Sequence, residues 1–176
     1  NNRILVEQGI RRIRTGDCCA GISALIEVSK RSSMNLVSTD IGFAIAPRLN
    51  AAGRLDDISI GIACLLTDDI DLARDLSNEL DTINLERRQI ENEMKKQAED
   101  ILLKLEKNAS SDLPTGICLF DPSWHQGVVG ILASRIKEKY HRPVICFALA
   151  NDTEGCDELK GSARSISGFH IRDALE

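Results

Sequence analysis

The sequence predicts an α/β protein in two parts that are joined by one long helix. Three observations lead to this fold class. Up to residue 66 the apolar residues recur at the spacing of short helices, whereas residues 67–108 carry an apolar series without glycine or proline. From residue 115 onward, apolar runs of strand length alternate with a helical pattern. Strand–helix–strand order with short connections favours a sheet of mainly parallel strands in this last part.

The first part begins with two short helices. Residues 4–15 have the apolar spacing of a helix, and Gly16 provides a natural stop. Residues 22–30 form a second short apolar helix.

Two more short helices follow. Thr39 and Asp40 can cap a helix that leads into Pro47, where we expect the backbone to leave helical geometry. Asp57 and Ser59 precede another apolar helix, IGIACLL. Such a series of short helices suits the rim of a larger domain better than a complete core.

A much longer helix is predicted next, with Thr67, Asp68 and Asp69 as possible caps. Its apolar residues recur at steps of three, four or seven: Leu72, Leu76, Leu80, Ile83, Ile90, Met94, Ile101 and Leu105. At about 1.5 Å per residue this helix would be about 55 Å long, which exceeds ordinary globular helices. It is either a coiled coil or a connector between domains. The connector is favoured because a different kind of sequence follows it.

The last part begins after a polar loop, EKNASSDLPT, which places the boundary near residues 107–115. Strands are predicted at GICLFD, PVICFALA and ELKGSARS. The helix GVVGILASRIKEKY lies between the first two strands, and GFHIRDALE begins another helix.

Composition limits the class of protein. The 176 residues are 43% hydrophobic and 28% charged, as in a soluble globular protein. No apolar run is long enough to cross a bilayer and no signal-peptide pattern opens the chain, so we expect no membrane partner. The net charge of −5 excludes a globally basic nucleic-acid binder, but phosphate contacts need only a few well-placed arginines. The run Arg11-Arg12-Ile13-Arg14 is either such a local contact or a solvated helix face.

The six cysteines form no metal-binding pattern. Cys18 and Cys19 are adjacent, and no C-x-x-C spacing occurs. Cys64, Cys118 and Cys146 lie inside apolar runs, where cysteine behaves as a small buried hydrophobe. We therefore expect all six to be reduced thiols in a cytoplasmic protein.

The segment APRLNAAGR sets two arginines and an asparagine among very small residues. Small residues let a ligand or another backbone approach closely, and arginine recognises phosphate oxygens. The segment therefore predicts a phosphate contact through Arg48, Asn50 and Arg54.

The loop FDPSWHQGVVG connects a predicted strand to a predicted helix, a common place for an anion to meet helix amides. Gly127 and Gly130 keep its backbone open, and His125 and Gln126 add side-chain donors. Trp124 either stacks on a base or packs in the core below a tight turn.

A second polar segment, KGSARS, combines Ser162, Arg164 and Ser165 with small residues. Hydroxyls and a guanidinium form a plausible cup for a terminal phosphate, although a polar turn would have the same composition. Arg135, about two turns into the preceding helix, faces either solvent or a cleft.

Three long motifs give the chain a family resemblance. APRLNAAGRLDD, WHQGVVGILASRIKEKYHRPVICFA and GSARSISGFHIRDALE occur in this order and at matching spacing. Together they resemble the RecJ family of single-strand-specific 5′→3′ DNA exonucleases of the DHH phosphoesterase superfamily. The resemblance implies a role in DNA repair and recombination, and a DHH domain joined to a DHHA1 domain by a long helix, with single-stranded DNA in the cleft. Residues 1–66 would then be the C-terminal end of the DHH domain, and residues 67–108 would be the helix that connects the two domains. Residues 115–176 would be the N-terminal part of the DHHA1 domain.

The resemblance also implies roles for individual residues. Small side chains at Ala51, Ala52 and Gly53 would let DNA come close to the arginine segment. The residues expected to contact DNA are Arg48, Asn50, Arg54, His125, Gln126 and Arg135. The residues expected to bind the 5′-phosphate are Gly161, Ser162, Arg164 and Ser165.

Two residues depart from the family pattern. Glycine is usual where this chain has Ala46, and the family usually reads GSGRS where this chain reads GSARS. If the position of Ala163 requires a positive φ, alanine would strain the loop and weaken the phosphate site.

Family members use Mn²⁺ or Mg²⁺, held by aspartates and histidines of an LDADG-type segment and a DHH triplet, and neither motif occurs here. The chain starts without methionine, and both ends interrupt helical patterns. We therefore expect a fragment that lacks the N-terminal catalytic part, binds no metal and is inactive alone. Loss of that part would expose apolar surface on residues 1–66, so we also expect self-association.

Three alternatives remain. Another DHH–DHHA1 phosphodiesterase could act on short oligoribonucleotides or cyclic dinucleotides, although its usual glycine-rich signature with histidine is not matched by GSARS. A nucleic-acid adaptor of the same fold could have lost its metals. A coiled-coil scaffold built on residues 70–106 would leave the phosphate-type loops unexplained.

Overall fold

The computed structural model describes residues 2–108, 114–150 and 158–176. The chain divides into two compact units, Asn1–Arg87 and Arg88–Glu176. The division falls inside the long helix, which therefore contributes to both units. Residues 109–113 of the predicted polar loop EKNASSDLPT, and also Cys156, lie outside the described residues.

The first unit is built from short helices, as predicted. They are α1 (Asn2–Arg14), α2 (Ala20–Val28), a 3₁₀ turn (Ser33–Asn35), α3 (Ser38–Asp40), a π-helical turn (Ile41–Ile45), α4 (Ala46–Leu55) and α5 (Ser59–Leu66). Gly16 follows α1 with φ +80°, the conformation that ends a helix. The core of the unit joins apolar residues from these helices and from the long helix: Leu25, Ile26, Leu36, Ile45, Ala52, Cys64 and Leu80.

The expectation that helical geometry ends at Pro47 is wrong. Pro47 lies in the first turn of α4, and the helix continues to Leu55. Proline is tolerated there because a first-turn residue needs no intrahelical N–H partner. The π-helical turn before it widens the hydrogen-bond ladder, so that the Ala46 N–H reaches the Ile41 carbonyl.

The predicted long helix is present as α6 (Ile70–Asn108), with 39 residues and a length of about 58 Å at 1.5 Å per residue. Asp69 caps it, since its carboxylate accepts hydrogen bonds from the N–H groups of Asp71 and Leu72 at 2.9 and 3.3 Å. In the described part of the chain, no helix combines the length and the apolar character needed to cross a membrane.

The second unit contains a sheet of three strands in the order β1 (Ile117–Phe120), β2 (Val144–Leu149) and β3 (Leu159–Arg164). Helix α7 (Val129–Tyr140) connects β1 to β2, and α8 (Ile171–Leu175) follows β3. The α/β class is confirmed. The sheet is mixed rather than mainly parallel, because β1 and β2 are parallel whereas β2 and β3 are antiparallel. Residues 150–158 are too few for the crossover of a dozen or more residues that a parallel pair requires.

One face of this sheet is covered by α7. Alternation along the strands places Ile117, Leu119, Val144, Cys146 and Ala148 on that face, and all five are buried. Ser162 and Arg164 pair with Cys146 and Val144, so they lie on the α7 face. Gly161 and Ala163 lie on the opposite face.

Apolar surface is exposed on residues 1–66, as the sequence predicted. Its most exposed members are Phe43 at 78%, Leu66 at 76%, Met34 at 75%, Leu5 at 70% and Ile4 at 66%. Self-association through this surface stays a prediction.

Close packing between α2 and α5 yields a stability test. A Cβ added at Gly21 would lie 1.9 Å from the Cys64 carbonyl oxygen, which belongs to the backbone and cannot rotate away. We expect Gly21→Ala to lower the free energy of unfolding by about 3 kcal/mol through overpacking. Urea denaturation followed by circular dichroism measures the change.

Gly9→Ala is the matched control, because nothing lies within 4 Å of the added Cβ. It should leave stability unchanged or raise it by up to about 1 kcal/mol, since alanine favours helix. Equal midpoints for the two variants would contradict the packing of α2 on α5.

Candidate nucleic-acid interface

The predicted phosphate segment APRLNAAGR forms α4, and helix geometry sorts its three polar residues. Asn50 and Arg54 are four residues apart, so they share one face, and both are exposed. Arg48 lies about 200° around the helix from Asn50, toward the core of the first unit. The structure therefore brings Asn50 and Arg54 together and separates Arg48 from them.

Arg48 is held inside its own unit. Its side chain is 12% exposed, and its Nη2 lies 2.8 Å from Oδ1 of Asp81 in α6. Its Nη1 donates to the Ala44 carbonyl, and its Nε is buried without a hydrogen-bond partner in the described structure. This guanidinium joins α4 to α6, and its predicted contact with DNA stays a prediction.

Two small residues of α4, Ala51 and Ala52, serve packing rather than ligand access. Ala51 and Ala52 are 0% exposed, so the expectation that they let DNA approach is wrong. They follow Arg48 by three and four positions and share its inward face. Gly53 is exposed, and a Cβ there would lie 3.2 Å from Cδ1 of Ile58, so its predicted role in DNA access stays a prediction.

The loop between β1 and α7 is ordered by its own side chains. Asp121 accepts hydrogen bonds from the N–H and the hydroxyl of Ser123, at 2.9 and 2.6 Å. Trp124 is 2% exposed, and its Nε1 donates to Oε1 of Gln97 in α6 at 2.8 Å. The core alternative for Trp124 is therefore correct, because a buried ring cannot stack on a base.

His125 and Gln126 lie at the turn that follows. The Gly127 N–H donates to Nδ1 of His125 at 3.1 Å, which leaves Nε2 as the protonated nitrogen of the neutral ring. Gln126 is half-buried, and its Oε1 is buried without a hydrogen-bond partner among the described residues. The loop thus carries one imidazole donor and one amide with unused hydrogen-bonding capacity.

Arg164 is the centre of a polar cluster between β3 and α7. Its Nε donates to Oγ of Ser134 at 2.8 Å, and its Nη1 donates to Oγ of Ser162 at 2.9 Å and to the Ala163 carbonyl at 2.8 Å. Its Nη2 makes no hydrogen bond to any residue that the structure describes. A Cβ added at Gly130 would lie 2.9 Å from this Nη2 and 3.1 Å from Oγ of Ser162. The missing side chain of Gly130 therefore leaves room for this end of the guanidinium.

Ala163 does not strain this cluster. Among the described non-glycine residues, only Lys30 and His141 have a positive φ, so Ala163 has ordinary strand geometry. Its methyl group points to the face opposite Ser162 and Arg164, because side chains alternate along a strand. The condition under which alanine would strain this position is therefore not met.

The four residues predicted to bind a 5′-phosphate have different surroundings. Ser162 and Arg164 lie together on the α7 face. Gly161 pairs with Phe147 on the other face, where its missing side chain makes room for the ring: a Cβ would lie 2.5 Å from Cε1. Ser165 accepts a hydrogen bond from the Ile171 N–H at 3.1 Å, at the start of α8.

Arg135 lies apart from this cluster. Its Nε is 3.2 Å from Glu91 of α6, and its Nη1 is 3.6 Å from Glu138. The pair with Glu91 joins α7 to the long helix, whereas the pair with Glu138 lies within α7. The predicted DNA contact of Arg135 stays a prediction.

Sequence reasoning missed Ser134. The available signal was its spacing of four residues after Gly130, which places both on one face of the helix that leaves the loop.

No metal site is assigned within the described residues, since none of them form a group of three or more His, Cys, Asp or Glu that could hold an ion. Several acidic residues act instead as local caps. Asp57, for example, accepts a hydrogen bond from the Ser59 N–H at 2.9 Å, and this bond lowers the pKa of the Asp57 carboxyl.

The sequence is similar to known nucleases along its whole length. The DHHA1 domain model matches residues 114–176. The single-stranded-DNA-specific exonuclease RecJ of Escherichia coli strain K12 is 57% identical over 176 residues, which are 100% of this chain and 30% of that protein. The chain belongs to the RecJ family. RecJ of Thermus thermophilus is 35% identical over 99% of the chain and 23% of that protein.

Solved RecJ structures have the same fold. RecJ of Thermus thermophilus in complex with Mg²⁺ matches with a TM-score of 0.78 and 34% identity, over 99% of this chain and 25% of that one. A structure of exonuclease RecJ bound to manganese matches with a TM-score of 0.75, over 99% of this chain and 40% of that one. The chain spans between 21% and 30% of the length of the curated RecJ relatives it matches, with 30% for that of Escherichia coli.

The different surroundings of Arg48 and Arg54 in α4 can be tested by measuring the stability of variants. Arg48→Gln should lower the free energy of unfolding by about 2 kcal/mol, because it leaves Asp81 half-buried without its cation. Arg54→Gln, on the exposed face, should cost less than about 1 kcal/mol. Urea denaturation of both variants gives the comparison. Equal losses would contradict a structural role specific to Arg48.

Proposed function

We propose that this chain is the part of a RecJ-type, single-stranded-DNA-specific 5′→3′ exonuclease that holds the DNA substrate. The complete enzyme would hydrolyse phosphodiester bonds during DNA repair and recombination. Support comes from the 57% identity to the Escherichia coli exonuclease over every residue of the chain. It also comes from the polar cluster around Arg164.

The observation that carries the proposal is the free Nη2 of Arg164. An arginine held by three hydrogen bonds, with one end of its guanidinium open, suits a terminal phosphate. Ser162 adds a hydroxyl beside it, and Gly130 leaves room for both the guanidinium and this hydroxyl. A 5′-phosphate carries more negative charge than an internal phosphodiester, so this site would favour a phosphorylated DNA end.

Further contacts to the DNA backbone would come from two surfaces. Asn50 and Arg54 share the exposed face of α4. His125 and Gln126 lie on the loop that precedes α7, where Nε2 of His125 can donate to a phosphate oxygen.

We also propose the division into residues 1–66 of a DHH domain, the connecting helix 67–108, and residues 115–176 of DHHA1. The match of the DHHA1 model to residues 114–176 supports the last of these. Mn²⁺ or Mg²⁺ would be held by residues of the complete enzyme outside the described set, and two RecJ relatives were crystallised with these ions. A reducing, cytoplasmic setting would suit the five described cysteines, which are all free.

The 5′-phosphate site can be tested by fluorescence anisotropy with single-stranded oligonucleotides that carry a 5′-phosphate or a 5′-hydroxyl. We expect the phosphorylated end to bind about tenfold more tightly, because a charge-assisted arginine–phosphate contact contributes about 1.5 kcal/mol or more. Added salt should weaken binding of both oligonucleotides.

Lys160→Ala is a suitable control, because Lys160 is an exposed cation of the same KGSARS segment, whereas the hydrogen bonds of Arg164 go to Ser134, Ser162 and Ala163. It should keep the preference for the phosphorylated end, whereas Arg164→Gln should abolish it. A folded wild-type chain that binds both ends equally would refute the phosphate site.

Catalysis by the chain alone gives a separate test. With Mn²⁺ and a 5′-phosphorylated single-stranded oligonucleotide, we expect no shortening of the DNA above the buffer control, because the metal ligands would lie elsewhere in the enzyme. Denaturing gel electrophoresis measures the product lengths. Mn²⁺-dependent degradation that purifies with the chain would show that the hydrolytic site lies within these residues.

A further inference from the structure

Arginine side chains are long and flexible, so an arginine that must meet one ligand atom needs fixed neighbours. In this structure the neighbour at Nε of Arg164 is Ser134, at 2.8 Å. The Ser134 hydroxyl donates its own proton to the Gly130 carbonyl at 3.1 Å. This second bond turns a lone pair of Oγ toward Arg164 and fixes the orientation of the hydroxyl.

The bonds to Ser134, Ser162 and Ala163 occupy the Nε and Nη1 donors of Arg164. Because the guanidinium is planar, these bonds also set the direction of Nη2. That free end lies beside Gly130, where any side chain would collide with it at 2.9 Å. The arginine cannot withdraw from such a side chain without losing one of its three hydrogen bonds.

We propose that Ser134 is a positioning residue that aims Nη2 of Arg164 at a 5′-phosphomonoester, and that Gly130 keeps this end of the guanidinium uncovered. The inference rests on the proposed function, and it assigns selection of the phosphorylated end to two residues of α7. Neither residue contributes a charge. They act by removing alternative positions of the arginine.

The test uses the same paired oligonucleotides with Ser134→Ala, Ser134→Thr and Gly130→Ala. Loss of the Oγ acceptor in Ser134→Ala frees the guanidinium, and the added methyl in Gly130→Ala displaces it. Both variants should reduce the preference for the 5′-phosphate from about tenfold to twofold or less, with unchanged binding of the 5′-hydroxyl oligonucleotide. Ser134→Thr keeps the hydroxyl and should keep the preference.

Two control variants match the chemistry of the substitutions. Ser29→Ala also removes a serine bonded to a helical carbonyl, that of Ile26 at 2.9 Å, but at a site away from Arg164. Gly9→Ala adds a methyl group to a helix with nothing within 4 Å. Both should keep the full preference, and circular dichroism melting curves show which variants remain folded.

The outcomes separate the two proposals. A wild-type chain without preference refutes the phosphate site, and this inference with it. A wild-type chain with preference, together with folded Ser134→Ala and Gly130→Ala variants that keep it, refutes the positioning role and leaves the proposed function intact. If one of the two variants unfolds, the other decides the result.

Discussion

The packing of α7 on one face of the three-stranded sheet determines the candidate phosphate site. It buries alternate residues of β1 and β2, among them Leu119, Val144 and Cys146. Burial in this layer also raises the pKa of the Cys146 thiol to about 12, so the thiol stays protonated there. Because β3 continues the sheet, the same layer brings Ser162 and Arg164 against α7. Without that helix the guanidinium would lose both the acceptor at Ser134 and the open space at Gly130.

A different constraint governs the first unit. Residues with small side chains in α4 allow helices to approach each other, as the full burial of Ala51 and Ala52 shows. Arg48 then joins α4 to α6 through Asp81 from the same inward face. Small residues beside arginines can thus indicate close packing as well as ligand access, and only burial distinguishes the two.

Most of the fold was predictable because its elements depend on local rules. The long helix follows from 39 residues without a helix breaker and from a capping aspartate, Asp69. The strands and α7 follow from runs of apolar residues and the loop between them. The continuation of helical geometry through Pro47 was not predictable, since the π-helical turn before it depends on how the neighbouring helices pack. The antiparallel direction of β3 was also not predicted, although the short connection between β2 and β3 indicated it.

The sequence by itself determined the family, the α/β class and the polar segments that surround the candidate site. The resemblance also made Arg164 and Ser162 candidates for the phosphate site, although a polar turn would have the same composition. Only the tertiary structure decided which of these groups are available to a ligand. In the folded chain Arg48 forms an ion pair with Asp81, and Trp124 is buried. Ser134 accepts a hydrogen bond from Arg164, which lies 30 positions later in the sequence. The physical reason is that hydrogen-bond partners distant in sequence are set by how elements pack, which local patterns do not encode.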